Sequence, residues 1–449
     1  MLTAIGLLRT RPRTVLVSAL ALSLLMPAFG PLPRAEEAEP LEGLLDRPAD
    51  YRTLPLPRPA TKRSITRECT PVDPQVAWNR LPYTLRDVSL REMIGQILVV
   101  SYSGTSPNAR GVKVVRDALR RSEIGGVLTF RHNIDNADDT RAINEIFKNA
   151  HPVLPAMIAV DQEGGAVMRV KPSEGGPDTP SAQTIGRGSP GDAAAAYAAM
   201  ADTLSDLGFT ANFGPVVDLN VNPDNPVIAR FGRSYGATAE KVLKYAEAFI
   251  EAHRARGIAT SPKHFPGHGS SDDDSHDGAI DLTPTWSREE LVPFAELIDR
   301  DLADMIMIGH LTLEGVTGPG ELPASLSPIA IDGVLRSDLC FAGLVVTDDL
   351  AMDAVEARWG TPEATRLMLE AGGDIALVSL PAGKGMALVR EITDHLVEHV
   401  ETSPTLERRV REAYARVVSH KLNMSATVDE RHYARAGETP APQQPAPEQ

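Results

Sequence analysis

The sequence predicts an α/β fold, a single (β/α)8 TIM-type barrel within a chain of 449 residues, and three observations carry that prediction. Short apolar runs alternate with longer helical patterns between about residues 80 and 425. The runs are nearly free of charge, as expected when both faces of a parallel strand are buried. Polar side chains suited to chemistry gather where the runs end, which is where barrels of this kind hold their reacting groups.

The expected strands are 94–101, 126–130, 156–161, 211–219, 258–264, 305–310, 344–348 and 374–379. The first run is followed by no Gly-x-Gly-x-x-Gly turn, which argues against a dinucleotide-binding open sheet. Helix-length segments lie between the strands. The Ala-rich stretch 192–207 ends before Gly208, a residue suited to a helix stop. Ser287 followed three residues later by Glu290 has the form of a capping box.

Both ends of the chain differ from its middle. Arg9, Arg11 and Arg13 precede an uncharged apolar run, 14–30, that is broken by Pro27. The run is short for a bilayer span, which takes roughly 20 apolar residues. Its basic, apolar, small-residue layout is that of a secretory signal over residues 1–35, with a retained N-terminal membrane anchor as the alternative. An exported, extracellular or cell-envelope location follows from either. Residues 31–83 hold ten of the 36 prolines, so 36–83 reads as an extended linker or strap. The barrel is expected over 84–425, and the Pro/Gln-rich end, 426–449, as a disordered tail.

Composition narrows the functional classes. With 45 Lys and Arg against 60 Asp and Glu, the net charge is −15, which argues against nucleic-acid binding. The two cysteines, Cys69 and Cys340, cannot form a four-ligand zinc site; in an exported protein they could pair with each other.

Four segments carry chemistry. The densest is Lys263-His264-Phe265-Pro266-Gly267-His268-Gly269, followed after four residues by Asp274-Ser275-His276. A neutral imidazole moves protons near pH 7 when a carboxylate fixes its tautomer, and Asp274 stands two residues before His276. Three other readings compete. One is a solvated acidic loop. Another is a calcium loop, but position 283, which would need Glu, is Thr. The third is a zinc site of His264, His268 and His276, which lacks a His-x-His pair on the first strand.

The second segment, 344–350, is an apolar run ending in Asp348 and Asp349. A carboxylate at a strand end can attack a sugar carbon, or it can cap the following helix. The third is Asp161-Gln162-Glu163-Gly164-Gly165 with Arg169 beyond it, where glycines admit a ligand to the backbone and a carboxylate can grip paired hydroxyls. The fourth places Arg233 in the loop after a strand, where a plain surface arginine is the ordinary alternative. Asp218 and His310 also stand at strand ends.

In this order the four segments resemble glycoside hydrolase family 3, in its branch of bacterial β-N-acetylglucosaminidases that trim peptidoglycan fragments. The likeness runs from about 86 to 420, and the pattern KHFPGHG-x4-DSH is matched in full at 263–276. The resemblance implies Asp348 as nucleophile, His276 as general acid/base and Asp274 as its partner. It implies Asp161, Arg169, Arg233, Lys263 and His264 as substrate-binding residues. The expected activity is retaining exo-hydrolysis of terminal GlcNAc through a covalent glycosyl-enzyme. The substrate would be a GlcNAc-containing saccharide or muropeptide, with no metal, no cofactor and no stable protein partner implied. Two alternatives remain: a GlcNAc phosphorylase that uses the same site, and a catalytically silent carbohydrate-binding surface protein. One departure stands out. Ala166 occupies the position where relatives often carry an Arg.

Overall fold

Each apolar run that becomes a strand has its side chains buried on both faces, which is the pattern that lets helices cover a parallel sheet on one side and a core fill it on the other. The structure is a computed structural model and describes residues 74–274, 278–320, 322–381 and 384–436. All of these lie in one compact unit. The expected signal, Cys69 and most of the linker fall outside the described residues, as do His276 and the chain beyond 436. The described end of the linker, 74–83, is not extended: Pro74, which suits a first helical turn, opens a helix over Pro74–Arg80.

The principal strands are β1 (Leu98–Ser101), β2 (Gly126–Thr129), β3 (Met157–Val160), β4 (Ala211–Asn212), β5 (Ala259–Thr260), β6 (Met305–Ile308), β7 (Leu344–Thr347) and β8 (Ala376–Val378). Six of them pair in parallel in the order β8-β1-β2-β3-β4-β5. The other two, β6 and β7, form a parallel pair. Single parallel bridges join Phe265 to Ile308 and Val346 to Ile375. One hydrophobic cluster draws on all eight strands, through Val99, Leu128, Met157, Ala211, Ala259, Met307, Val346 and Leu377 among others, and includes Val417.

The main helices are α1 (Leu90–Ile97), α2 (Arg110–Arg120), α3 (Ala137–Lys148), α4 (Pro190–Asp206), α5 (Ala239–Arg254), α6 (Val292–Asp299), α7 (Thr361–Glu370), α8 (Met386–Val400) and α9 (Pro404–Ala436). Helix α4 begins two residues before the expected 192, with Pro190 in its first turn and the Ser189 hydroxyl accepting from Asp192 N at 3.1 Å. Gly208, just past its end, takes φ +83°. No helix among the described residues is long and apolar enough to cross a membrane.

Several elements differ from expectation, each for a physical reason. Residues 94–97, read as strand, form the last turn of α1. Its capping box, Ser89 with Glu92, fixes the helix, and Met93, Ile94 and Ile97 bury its apolar side. Strand 211–219 is regular only at Ala211–Asn212, because Pro215 has no N–H for the ladder; single contacts such as Val217 N to Lys263 O, 2.8 Å, continue the pairing beyond it. The capping box at Ser287 does not form, since the Glu290 carboxylate turns to a different loop. Helix α9 continues past residue 426 into the segment expected as tail.

Helix α9 ties the assembly together from the side opposite the strand ends. Arg416 and Arg336 both donate to the buried Asp374 carboxylate, at 2.7 and 2.5 Å. Lys421 is buried and donates to Gln96 Oε1 and Gly125 O, at 2.7 and 2.6 Å; burial brings its ammonium down to about 7.

Candidate active site

The residues immediately past the C-terminal ends of the strands line one cavity of about 550 Å³. Asp161 follows β3, Lys263 and His264 follow β5, and Asp348 follows β7. Arg169 arrives on the short hairpin of Gln162–Gly164 and Val167–Met168, and Arg233 on the loop after β4. Asp274 also lines the cavity. Seven of the eight expected site residues are therefore in one place; the eighth, His276, lies outside the described residues.

The charges along one wall form an interlocked array. Lys263 Nζ sits 2.7 Å from Asp161 Oδ1 and 2.8 Å from Glu163 Oε1. Arg233 grips both oxygens of Glu163, at 2.8 and 2.9 Å, in the two-pronged geometry that matches a guanidinium to a carboxylate. Arg169 lies 3.6 Å from the other oxygen of Asp161. Burial alone would push the Glu163 carboxyl up, but Arg233 and Lys263 outweigh it and hold the group well below the usual carboxylate range. The two cations respond in kind. Burial would lower both, and their acidic neighbours raise them instead. Asp161 lines the cavity, so the array presents an acid backed by fixed cations.

His264 is oriented from beneath. Asp218, fully buried, accepts from the His264 ring at Nδ1, 2.7 Å, and from the backbone N–H groups of His264 and His268, at 3.0 and 2.8 Å. A carboxylate can only accept, so Nδ1 carries the proton and Nε2 points to the cavity as an acceptor, 3.4 Å from Arg233. Burial pushes the neighbouring His268 down to about 4, so it is neutral at pH 7.

Asp348 and Asp349 divide their work. Asp349 Oδ1 accepts from Ala351 N and Ser379 N, at 3.0 and 2.8 Å, which ties the turn to β8. Burial raises its carboxyl. Asp348 faces the cavity and accepts from Asp349 N at 2.8 Å. Burial would raise Asp348 too, but the positive charge of His264 and His310 when these are protonated, the Asp349 N–H and Lys263 lower it. It is thus an anion at neutral pH, unengaged by any guanidinium or ammonium contact short enough to be an ion pair among the described residues. His310 supports the turn by donating from Nε2 to Asp349 O at 3.0 Å, with Ser325 Oγ 2.7 Å from its Nδ1.

Reasoning from sequence underrated several of these groups. Glu163 was visible inside the Asp161–Gly165 segment, two residues from Asp161, yet its clamp on Arg233 is a contact across the fold. Asp218 stood at a strand end without a stated partner. Glu290 was assigned to a helix cap; its Oε2 instead accepts from Gly269 N at 2.9 Å and Ser270 N at 3.3 Å, beneath the loop that carries His268. Phe130 and Phe231 line the cavity and had no signal beyond being aromatic. Of the three histidines in the zinc alternative, His264 and His268 line the cavity and His276 lies outside the described residues. Among the described residues, the one group of three His and carboxylate side chains within reach of a common metal ion lies elsewhere, at Glu363, His395 and His399.

Comparison with known proteins agrees with the arrangement. The family model described as Glycosyl hydrolase family 3 N terminal domain matches residues 89–420. Beta-hexosaminidase A of Pseudoalteromonas piscicida is 30% identical over 368 residues, 74% of this chain and 61% of that protein. Beta-hexosaminidase LpqI of Mycobacterium tuberculosis is 34% identical over 308 residues, 65% of this chain and 73% of that protein. The solved structure of a glycoside hydrolase family 3 beta-N-acetylglucosaminidase from Paenibacillus superimposes with a TM-score of 0.67 at 31% identity, covering 76% of this chain and 63% of that one. The chain thus spans less than two thirds of the Pseudoalteromonas and Paenibacillus proteins. With the family match running through every strand end that lines the cavity, the chain belongs to glycosyl hydrolase family 3.

Proposed function

We propose that this protein is a retaining exo-β-N-acetylglucosaminidase that removes terminal GlcNAc from peptidoglycan-derived fragments. The observation that carries the reading is Asp348: an ionised, unpaired carboxylate at a strand end, facing a cavity whose opposite features are Asp161, Lys263, Arg233 and His264. The names of the relatives, beta-hexosaminidase and beta-N-acetylglucosaminidase, support the sugar. The architecture behind it is best read as one (β/α)8 barrel. The parallel order β8-β1-β2-β3-β4-β5, the β6–β7 pair and the bridges 265–308 and 346–375 together run from each strand to the next.

In the reaction, an Asp348 oxygen attacks the anomeric carbon and the bond to the leaving oxygen breaks. That oxygen takes a proton from the His276 imidazolium. In the second step water attacks the same carbon, gives its proton to the now neutral His276, and displaces Asp348, restoring both groups. Asp274 accepts the other ring N–H of His276 and stabilises its charged form. Asp161 and His264 Nε2 accept from sugar hydroxyls, while Lys263 and Arg233 keep the acids ionised.

The fragment substrate and an exported location rest on the signal-like residues 1–35 and on the branch of the family the 263–276 pattern resembles. Incubation with a 2-deoxy-2-fluoro or 5-fluoro GlcNAc-type glycoside, followed by peptide mass spectrometry, tests the mechanism. A label on Asp348 is expected; a label on any other residue overturns the assignment. The His276→Ala variant should lose far more activity on substrates with poor leaving groups than on activated aryl glycosides.

A further inference from the structure

Away from the cavity, on the outer helical layer, two imidazoles and a carboxylate converge. His395 and His399 stand one turn apart on α8, so both project from the same side of that helix. Glu363, in the first turn of α7, reaches across to them. One ligand atom from each of the three lies within 4.8 Å of the others. His395 Nε2 is 2.9 Å from Glu363 Oε2, and the two imidazole centroids are 4.2 Å apart.

We propose that Glu363, His395 and His399 form a binding site for a borderline divalent transition-metal ion, with Zn²⁺ as the representative, which joins α7 to α8. The donor set decides the class. Two imidazoles and one carboxylate suit zinc, nickel or copper, whereas magnesium and calcium take oxygen ligands. Three protein donors leave room for a water molecule in a four-coordinate shell.

Each donor is prepared for the role. His399 Nδ1 lies 2.8 Å from the His395 carbonyl, and a carbonyl can only accept, so Nδ1 carries the proton and Nε2 presents its lone pair. This is the fixing of tautomer and ring orientation that neighbours of ligating histidines usually provide. His395 already directs Nε2 at Glu363, so a cation there would replace the proton between them. The three side chains are half-buried, which limits competition from bulk water while leaving a route in.

Arg366 is the one cation that contests Glu363, donating to both of its oxygens. It also donates to Glu370 Oε2 at 2.7 Å, one turn further on. If Glu363 turns one oxygen to a metal ion, Arg366 keeps a full carboxylate partner in Glu370. With neutral imidazoles, the two acids and one guanidinium leave a net negative charge at the site. The location is separate from the sugar cavity: none of the three lines it.

The test compares the full chain with the double variant His395→Ala/His399→Ala and with the milder His399→Gln. Isothermal titration with ZnCl₂ and thermal unfolding with and without zinc give affinity and Tm. Absorption of the Co²⁺-loaded protein reports the coordination geometry. The proposal expects one zinc ion to bind the full chain with micromolar or tighter Kd and to raise its Tm. The Kd should weaken at least tenfold in His399→Gln, and the Tm rise should vanish in the double variant. Circular dichroism checks that the variants are folded, and His399→Gln carries the comparison if the double variant is not. Binding of equal strength in the full chain and the variants would place the metal elsewhere, the cavity histidines included, and overturn the proposal. So would the absence of binding to the full chain at zinc concentrations of 100 µM.

Discussion

Asp218 Oδ2 accepts from the His264 ring at 2.7 Å while Oδ1 takes two backbone N–H groups from the same loop, and this division of labour fixes which nitrogen of His264 faces the cavity. Substitution Asp218→Asn preserves shape but reverses the logic. The amide oxygen must stay where the two backbone donors converge, which turns the NH₂ group toward His264 Nδ1. The proton then moves to Nε2, where a donor meets Arg233 and the sugar hydroxyls. A fall in kcat/KM of about a hundredfold is expected, less than when the tautomer of a proton-transferring histidine is changed. Steady-state kinetics measures the fall, and ¹⁵N chemical shifts of the His264 ring follow the tautomer. Unchanged kinetics with a switched tautomer would remove His264 Nε2 from substrate contact.

Glu163 and Asp161 share Lys263 but differ in what their loss leaves behind. Glu163 is the more enclosed, with 6% of its side chain exposed against 15% for Asp161, and it also clamps Arg233. Removing it strands Arg233 with little water to replace the lost carboxylate, while Lys263 keeps Asp161, so Glu163→Ala should destabilise the fold by about 3–5 kcal/mol. Asp161→Ala leaves Lys263 its bond to Glu163 and opens only to the cavity, so about 1–2 kcal/mol is expected, with the loss concentrated in KM for the sugar. Urea denaturation of the two variants separates these outcomes, and equal losses would show that the array is not arranged as the contacts imply.

How much of this was readable in the chain depended on the range of the interaction involved. The strands were legible at 126–130, 305–310 and 344–348 because burial on both faces leaves an apolar run with no other use. The same criterion misread 94–97, where an apolar run is equally at home in the last turn of a helix; the Ser89-x-x-Glu92 box was the local sign that could have decided it. At 287–290 the local sign misled, since Glu290 gains more from two loop N–H groups than from a cap. Cavity residues that end strands, such as Asp161, Lys263 and Asp348, were legible from topology. The Glu163–Arg233 clamp and the Asp218–His264 bond join residues on different strands and loops, and nothing at either position alone specifies its partner.

Glu290 makes stability depend on pH in a direction opposite to most carboxylates. Burial raises its carboxyl to about 7, and its Oε1 has no hydrogen-bond partner. A raised carboxyl binds a proton more tightly in the folded state than in the unfolded one, whose acid titrates near 4.5. Folding is therefore favoured at low pH and loses this contribution as pH rises from about 4.5 to about 7. Glu290→Gln keeps an acceptor for Gly269 and Ser270 and carries no charge. Its stability relative to the native chain, followed as Tm, should rise between pH 5 and 8, reaching a gain of about 1–3 kcal/mol in unfolding free energy. A difference in Tm that stays constant across that range would show that Glu290 does not titrate there.

Phe231 is the exposed aromatic of the cavity mouth, with 47% of its surface open. Its loop is stiff: Arg233 N donates to Ile228 O and Gly232 N to Ala229 O, both at 3.0 Å, and Gly232 turns with φ +62°. Arg230 lies over one side of the ring, 5.5 Å from its centre. On the proposed function, an aromatic face held rigidly at the cavity mouth is placed to stack on the unit that follows the terminal sugar. Stacking of this kind contributes about 0.5–1.5 kcal/mol, or about two- to tenfold in binding. Phe231→Ala should therefore raise KM by that factor for GlcNAc-terminated disaccharides and leave kcat/KM unchanged for β-GlcNAc fluoride, whose leaving group is too small to reach the ring. Parallel kinetics on the two substrates makes the comparison. An equal loss on both would mean that Phe231 shapes the site for the first sugar and makes no contact beyond it.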